Sequence, residues 1–318
     1  MKKLLLLAVI AVALISSCKR EYSASTDPSG KKYKVSFNVT NFVQKQAAFA
    51  LRRKASNLAS SDTLTDLSSY LDVLYYIVYG SDGHAVRLPL MQDSTDCSSM
   101  GMITDSLPVG TYQIAIIAGK QGLVINNYGF TASANFGYGG YFWQDTFWDE
   151  FTITVSNASI SQNVTLKRVV GKLEVQILDN IPANADSLSV TINPEILSKQ
   201  VDGGTNNGST PTAPSTITVA IPASAKGQPN FTLDRLVGDT QDLNTVTITC
   251  KDAGNNILGT ATANNVVFTN NVKTILSGNL FGSSGNSSPQ SFTVTVDTTW
   301  SSTPSHIGFS LRTHRSSF

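Results

Sequence analysis

The sequence predicts an all-β protein made of two tandem β-sandwiches. Three observations carry this. Apolar residues recur at every second position over short stretches, Gly, Asn, Asp and Pro break those stretches at close intervals, and 318 residues exceed one compact core of ordinary size. Abundant Ser, Thr, Asn, Val and Gly suit exposed sheet surfaces and turns, so helix should be scarce.

Taken in order, the elements begin with Tyr33, Val35, Phe37 and Val39 on one face against Lys34, Ser36, Asn38 and Thr40 on the other, a half-buried strand. Residues 47–69 break the rhythm and read as a loop with a short helix. Strand periodicity returns over 71–79 and stops at Gly80-Ser81-Asp82-Gly83, whose residues tolerate positive φ. Another strand pair follows, then a turn at Leu107-Pro108-Val109-Gly110. Residues 111–118, 151–155 and 161–166 complete the first module, and the boundary falls near Leu166. The second module opens at 169–178, where Leu173, Val175 and Ile177 share a face, and continues at 187–192. Residues 201–215 read as a long exposed loop. Strands follow at 216–221, 231–236 and 245–250, with a hairpin turn at Asp252-Ala253-Gly254-Asn255-Asn256. The chain closes with 272–281, a Gly/Ser/Asn break, and a last strand placing Phe292, Val294 and Val296 on one face.

The N-terminus has the layout of a secretory signal: Met1-Lys2-Lys3, an apolar run over 4–15, then Ser16-Ser17-Cys18. The run is shorter than the ~20 apolar residues a bilayer span needs. Ile15-Ser16-Ser17-Cys18 resembles the bacterial lipobox, which implies acylation of Cys18 and cleavage before it. Each buried lipid methylene contributes about 0.8 kcal/mol, so several acyl chains would hold the protein on a membrane. The expected organisation is a lipoprotein signal peptide over 1–17, a polar tether over 18–31, and sandwiches over 32–166 and 167–318.

Composition excludes several functions. Lys and Arg number 23 against 22 Asp and Glu, so there is no basic field for nucleic acid. Beyond Cys18 only Cys97 and Cys250 remain, without a CxxC. The three histidines, His84, His306 and His314, lie far apart, which speaks against zinc and against any other cofactor. Cys97 and Cys250 fall in different modules and read as separate thiols. No Ser/His/Asp set suggests itself, and adjacent Asp149-Glu150 would point to opposite faces of a strand, so the expectation is no enzyme.

The most unusual local composition runs over 136–148. Its rings, Tyr141, Trp143 and Trp148 among them, either stack on sugars as part of a surface glycan-binding lipoprotein or cover the end or seam of the first sandwich.

Several segments together resemble the fimbrillin family, lipoprotein pilins and pilus-associated proteins assembled by strand exchange. They are the lipobox at Cys18; Tyr76-Ile77-Val78-Tyr79 before Asp82-Gly83; Leu107-Pro108-Val109-Gly110-Thr111-Tyr112; Leu166-Lys167-Arg168-Val169-Val170-Gly171-Lys172-Leu173; Ile181-Pro182; and the stretch from Asn271 to Phe281. The resemblance implies two transthyretin-like sandwiches, other fimbrial subunits as partners, an outer-membrane location through lipid, and a host or bacterial surface receptor for the finished fibre. It further implies that a protease of Arg preference removes the first strand, here Tyr33 to Val39, by a cut at Arg52-Arg53, though that pair also reads as a solvated charge cluster. The segment from Phe292 to Val296 is then the candidate donor strand. The tail beyond Trp300 is longer than such a donor requires, a departure from the family pattern.

Overall fold

Alternating apolar residues cannot hide both faces in one layer, so the chain folds its sheets onto each other. The structure, a computed structural model, describes residues 30–43, 67–95, 99–120, 122–126, 134–138, 143–201, 212–238, 240–281, 292–297 and 312–313. Apart from two single-turn 3-10 helices, Leu67–Ser69 and Ala223–Ala225, the regular elements among these residues are strands.

The first module contains β1 (Lys32–Val43), β2 (Val73–Tyr79), β3 (Leu90–Asp93), β4 (Met102–Pro108), β5 (Gly110–Gly119), β6 (Leu123–Asn126), β7 (Ala134–Tyr138), β8 (Thr146–Val155) and β9 (Ile160–Arg168). Seven of them form one sheet in the order β3-β2-β5-β8-β9-β1-β4. Strands β8 and β9 share only the pairs Phe147/Arg168 and Trp148/Lys167. At that narrow joint the sheet folds over, so that β3-β2-β5-β8 faces β9-β1-β4 across a core that includes Phe37, Tyr76, Ile114, Phe147 and Leu166. The Gln92 side chain on β3 ties the far edges together. Its amide donates to the Met102 carbonyl at 2.8 Å, and its oxygen accepts from the Gly101 N–H at 2.8 Å.

The second module holds β10 (Val170–Ile177), β11 (Ala185–Ile196), β12 (Ser198–Val201), β13 (Thr212–Ala220), β14 (Phe231–Gly238), β15 (Thr240–Asp252), β16 (Ile257–Phe268), β17 (Lys273–Gly278), β18 (Thr293–Asp297) and β19 (Arg312–Thr313). Sheet β18-β17-β10-β14-β19 packs on sheet β13-β11-β15-β16. Inward residues such as Leu173, Val175, Val190, Ile248 and Leu276 fill the space between them. On the outer face of the second sheet, Ser189 and Thr218 hydroxyls bond at 2.8 Å and Thr191 and Thr216 at 2.7 Å, cross-strand pairs of the kind that stabilise sheets.

The turns follow the sequence closely. Tyr112 donates its hydroxyl to the Pro108 carbonyl at 3.1 Å, and a Cβ at Gly110 would sit 3.1 Å from that hydroxyl, which explains a glycine in Leu107-Pro108-Val109-Gly110. In the β15–β16 hairpin Asn255 has φ 65°, and Asp252 accepts N–H bonds from Gly254 and Asn256 at 2.9 Å each.

Three readings need correction. The run 201–215 is not one loop, since Val201 lies buried in β12 and Thr212 already opens β13. The strand expected at 151–155 begins at Thr146, because Phe147 is a core residue. In β18, Val294 and Val296 are exposed rather than buried with Phe292, because the strand lies at the edge of its sheet.

Cys250 is free and buried, and burial pushes its thiol up to about 12. It is therefore expected to resist alkylation in the native protein at mildly alkaline pH and to react once guanidinium unfolds the chain, as read by peptide mass mapping. Native labelling at the rate of an open thiol would contradict its placement. Cys97 lies outside the described residues.

Candidate functional site

The feature with the clearest functional bearing is the setting of β1. Its first half pairs antiparallel with β4, from Lys32/Pro108 to Asn38/Met102, and it runs parallel to β9 from Val35/Ile160 to Val43/Lys167. The first described strand thus sits inside the β9-β1-β4 layer rather than at its edge. Val35, Phe37 and Val39 are 0–3% exposed. Phe37 meets Tyr76 and Phe151 with ring centroids 5.7 and 5.4 Å apart. The Val39 N–H donates to the Gly101 carbonyl at 3.0 Å. Beneath this cluster, Tyr76 donates to Asp105 at 3.2 Å while Arg87 grips both oxygens of the same carboxylate. Burial, reinforced by the Asp105 charge, pushes the Tyr76 hydroxyl far up, so it stays a donor. Were β1 removed, an apolar groove would open with the unpaired edges of β9 and β4 as its walls.

The opposite end of the chain contrasts with this. Among the described residues, strand β18 forms its ladder with β17, through five antiparallel pairs from Lys273/Asp297 to Ser277/Thr293, and Val294 and Val296 are 41% and 58% exposed. Lys273 links its last residue to the sheet, lying 3.5 Å from Asp297 and 3.3 Å from Glu174. Burial acts upward on Glu174, but the Gln176 amide and the Lys273 and Lys172 cations outweigh it and hold the carboxyl below its usual range. The sign follows from linkage: a carboxylate lowered in the folded state stabilises above its unfolded pKa, and this is lost as pH falls through the folded value. Acid unfolding of the native protein below the ordinary value of 4.5 should therefore be less steep in Glu174→Gln, as followed by far-UV circular dichroism.

Between the sandwiches lies a seam with its own core, in which Ile77, Tyr79 and Ile117 of the first module meet Val170 and Leu236 of the second around Trp143. The Trp143 indole donates to the Ile196 carbonyl at 2.6 Å. A Cβ at Gly238 would come within 2.8 Å of that indole nitrogen, so only glycine fits there. Strand β7 pairs with β6 on one side and with β12 on the other, joining the modules by a small sheet. Arg168 is wholly buried at the end of β9. Its guanidinium donates to both Asp145 oxygens at 2.7 and 2.8 Å and to the Asn271 side-chain oxygen at 3.2 Å. Arg235 makes a second buried pair with Glu195 inside the second sandwich.

The predicted site residues separate in this structure. Cys18, Arg52, Arg53 and Tyr141 lie outside the described residues. Trp143 is 3% exposed and offers no open face to a sugar, which corrects its reading as a glycan contact. Its role is the covered seam. Trp148 is half-buried in β8, with the Lys199 ammonium 5.2 Å above its ring. The buried pairing of Arg168 and of Arg235 was not foreseen from the sequence, although each occupies the apolar phase of its strand, after Val164 and Leu166 and between Leu233 and Val237. Among the described residues no cluster of three or more His, Cys, Asp or Glu could hold a metal ion, and no helix is long and apolar enough to cross a membrane.

No family model matches the sequence, and no curated protein matches it. Among solved structures, a Bacteroides thetaiotaomicron protein provisionally described as an adhesin matches with TM-score 0.50 at 9% identity, covering 88% of this chain and all of that one. A Bacteroides ovatus protein described in the same way gives TM-score 0.48 at 9% identity, over 72% of this chain and 77% of that chain. The fimbrial anchor protein Mfa2 of Porphyromonas gingivalis gives 0.45 at 11%, over 77% and 90%. This chain thus shares its fold with the Bacteroides thetaiotaomicron protein over 88% of its own length and the whole of that one.

Proposed function

We propose that the protein is a non-enzymatic subunit or anchor of a cell-surface fimbrium, tethered to the outer membrane by lipid on Cys18 and joined to other subunits by strand exchange at the place of β1. The observation that carries this reading is that the first described strand is an inner, completing strand of its sandwich. A terminal strand so placed can be removed and replaced without rethreading the chain, because backbone bonds to β9 and β4 and pockets for alternate side chains define any substitute. Arg52-Arg53 follows β1 before the next described element at Leu67, where a trypsin-like cut would release it. Strand β18, exposed at the edge of its sheet, is the matching donor. A host or bacterial surface receptor is the partner such a fibre would engage, through loops that carry no readable code.

The test is intact mass and N-terminal sequencing of the protein from outer-membrane and sheared-surface fractions. A mature N-terminus at Arg53 or Lys54 in the sheared fraction, without lipid, identifies a polymerising subunit. Acylated Cys18 on an uncut chain, confined to membranes, identifies an anchor. An uncut chain without lipid, free of both fractions, would sink the proposal.

A further inference from the structure

Charge is nearly balanced over the whole chain, with 23 Lys and Arg against 22 Asp and Glu, yet one end of the fold departs from that balance. Strand β1 enters the first sandwich at the end away from the seam, where Lys32 pairs with Pro108 and Val35 with Ile160, and runs to Val43 beside Lys167. Lys31, Lys32 and Lys34 are all exposed at this entry. Lys32 and Lys34 take the outward phase of β1, opposite to buried Val35, and the Lys31 ammonium lies 5.2 Å from the Tyr33 ring centroid. The adjoining turns, Pro108-Val109-Gly110 and Ser156-Asn157-Ala158-Ser159, add no acid, and Val109 at the tip of the first is 64% exposed. Among the described residues of β9, β1 and β4 the single carboxylate is Asp105, which is buried and held by Arg87 and Tyr76. None of the described ion pairs draws on Lys31, Lys32 or Lys34.

Three cations around one exposed apolar tip suit an anionic lipid surface. The ammonium groups attract headgroup charge within a Debye length of about 8–10 Å, and the valine gains by leaving water for the headgroup layer. The place of the patch in the chain selects that partner. Only residues 19–30 separate it from Cys18, and a coil of that length reaches roughly 20 Å on average. The seam lies at the other end of β1, so the same arrangement directs the second sandwich away from the bilayer.

We propose that the entry end of the first sandwich is a foot that rests on the membrane, in which Lys31, Lys32 and Lys34 bind anionic headgroups and Val109 enters their layer. The inference rests on the lipid-anchor reading of Cys18 and deepens it. The foot belongs to the uncut form, since a cut at Arg52-Arg53 would carry it away with β1.

Lysine acetylation by a water-soluble ester, mapped by peptide mass, tests it on the acylated full-length protein floated with vesicles of phosphatidylcholine alone or with phosphatidylglycerol added. On the anionic vesicles Lys31, Lys32 and Lys34 should react about tenfold more slowly than on the neutral ones, and high salt should remove the difference. Lys167, on the same layer at the seam end with a side chain 74% exposed, and Lys251 of the second sandwich should react alike on both. Lys32→Glu/Lys34→Glu should return Lys31 to its neutral-vesicle rate with an unchanged far-UV circular dichroism spectrum. Equal rates on the two vesicles, or slowing that extends to Lys167, would overturn the foot and leave the anchor standing. A chain that carries no acyl mass and does not float would overturn the anchor reading, and the foot with it.

Discussion

Arg168→Ala is expected to lower the unfolding free energy by about 3–5 kcal/mol, the range for breaking a buried ion pair on one side. The magnitude comes from what is left behind. Asp145, 2% exposed, would keep a carboxylate shut away from water and without its paired guanidinium, with only the more distant Lys120 charge to favour it, and the Asn271 oxygen would lose its guanidinium donor. The position aggravates this. Arg168 ends β9 just before β10 of the second sandwich begins, and its pair with Phe147 is one of the two that join β8 to β9. Urea unfolding followed by tryptophan fluorescence should show the midpoint displaced, Trp143 reporting on the seam. The double variant Arg168→Met/Asp145→Leu should recover much of the loss, since apolar replacement of a whole buried pair is often neutral. A cost below about 1 kcal/mol for the single variant would mean that water reaches Asp145 and the ion pair is not sealed.

Phe37→Ala should be similarly severe, about 3–5 kcal/mol for a large core aromatic truncated to alanine. Phe37 is 2% exposed and lies between β9 and β4, against Tyr76 and Phe151. The layers on either side are pinned by backbone ladders, so the site collapses poorly and most of the cavity persists. The denaturation midpoint should fall with an unchanged m-value, and limited trypsin digestion should release the N-terminal segment faster than in the parent protein. Faster release without loss of global stability would mean that β1 detaches on its own while the remaining strands hold.

How much of this could be seen in the sequence depends on whether the signal is local. Strand β1, the β15–β16 turn and the Tyr112 turn were legible, because alternation and turn chemistry act over a few residues. Strand β12 was not: Ser198–Val201 has no strong pattern, and it is a strand because β7 lies beside it from some sixty positions away in the chain. The aromatic run gave the right composition and an incomplete meaning. Its burial at Trp143 depends on Ile196 and Gly238, which no spacing within the run reveals. Arg168 and Arg235 carried a readable sign, a charge on the apolar phase of a strand, yet their partners Asp145 and Glu195 could be assigned only by the fold. The parallel pairing of β1 with β9 was likewise invisible, since both strands show the same half-buried alternation and neither names its neighbour.

That pairing sets the order in which the molecule can be completed. The Ser36 hydroxyl bonds the Ile160 carbonyl across 124 positions of sequence, and every β1–β9 pair is comparably distant. In a chain emerging N-terminus first, β1 can pair with β4 once residues 102–108 are made, yet its second ladder waits for β9. That edge stays open until residues 160–167 arrive, so loop closure over that span makes the first sandwich slow to finish. Throughout that interval β1 is a half-paired strand with one edge available to another chain, which makes the period before β9 forms the one in which the chain most needs a holding factor.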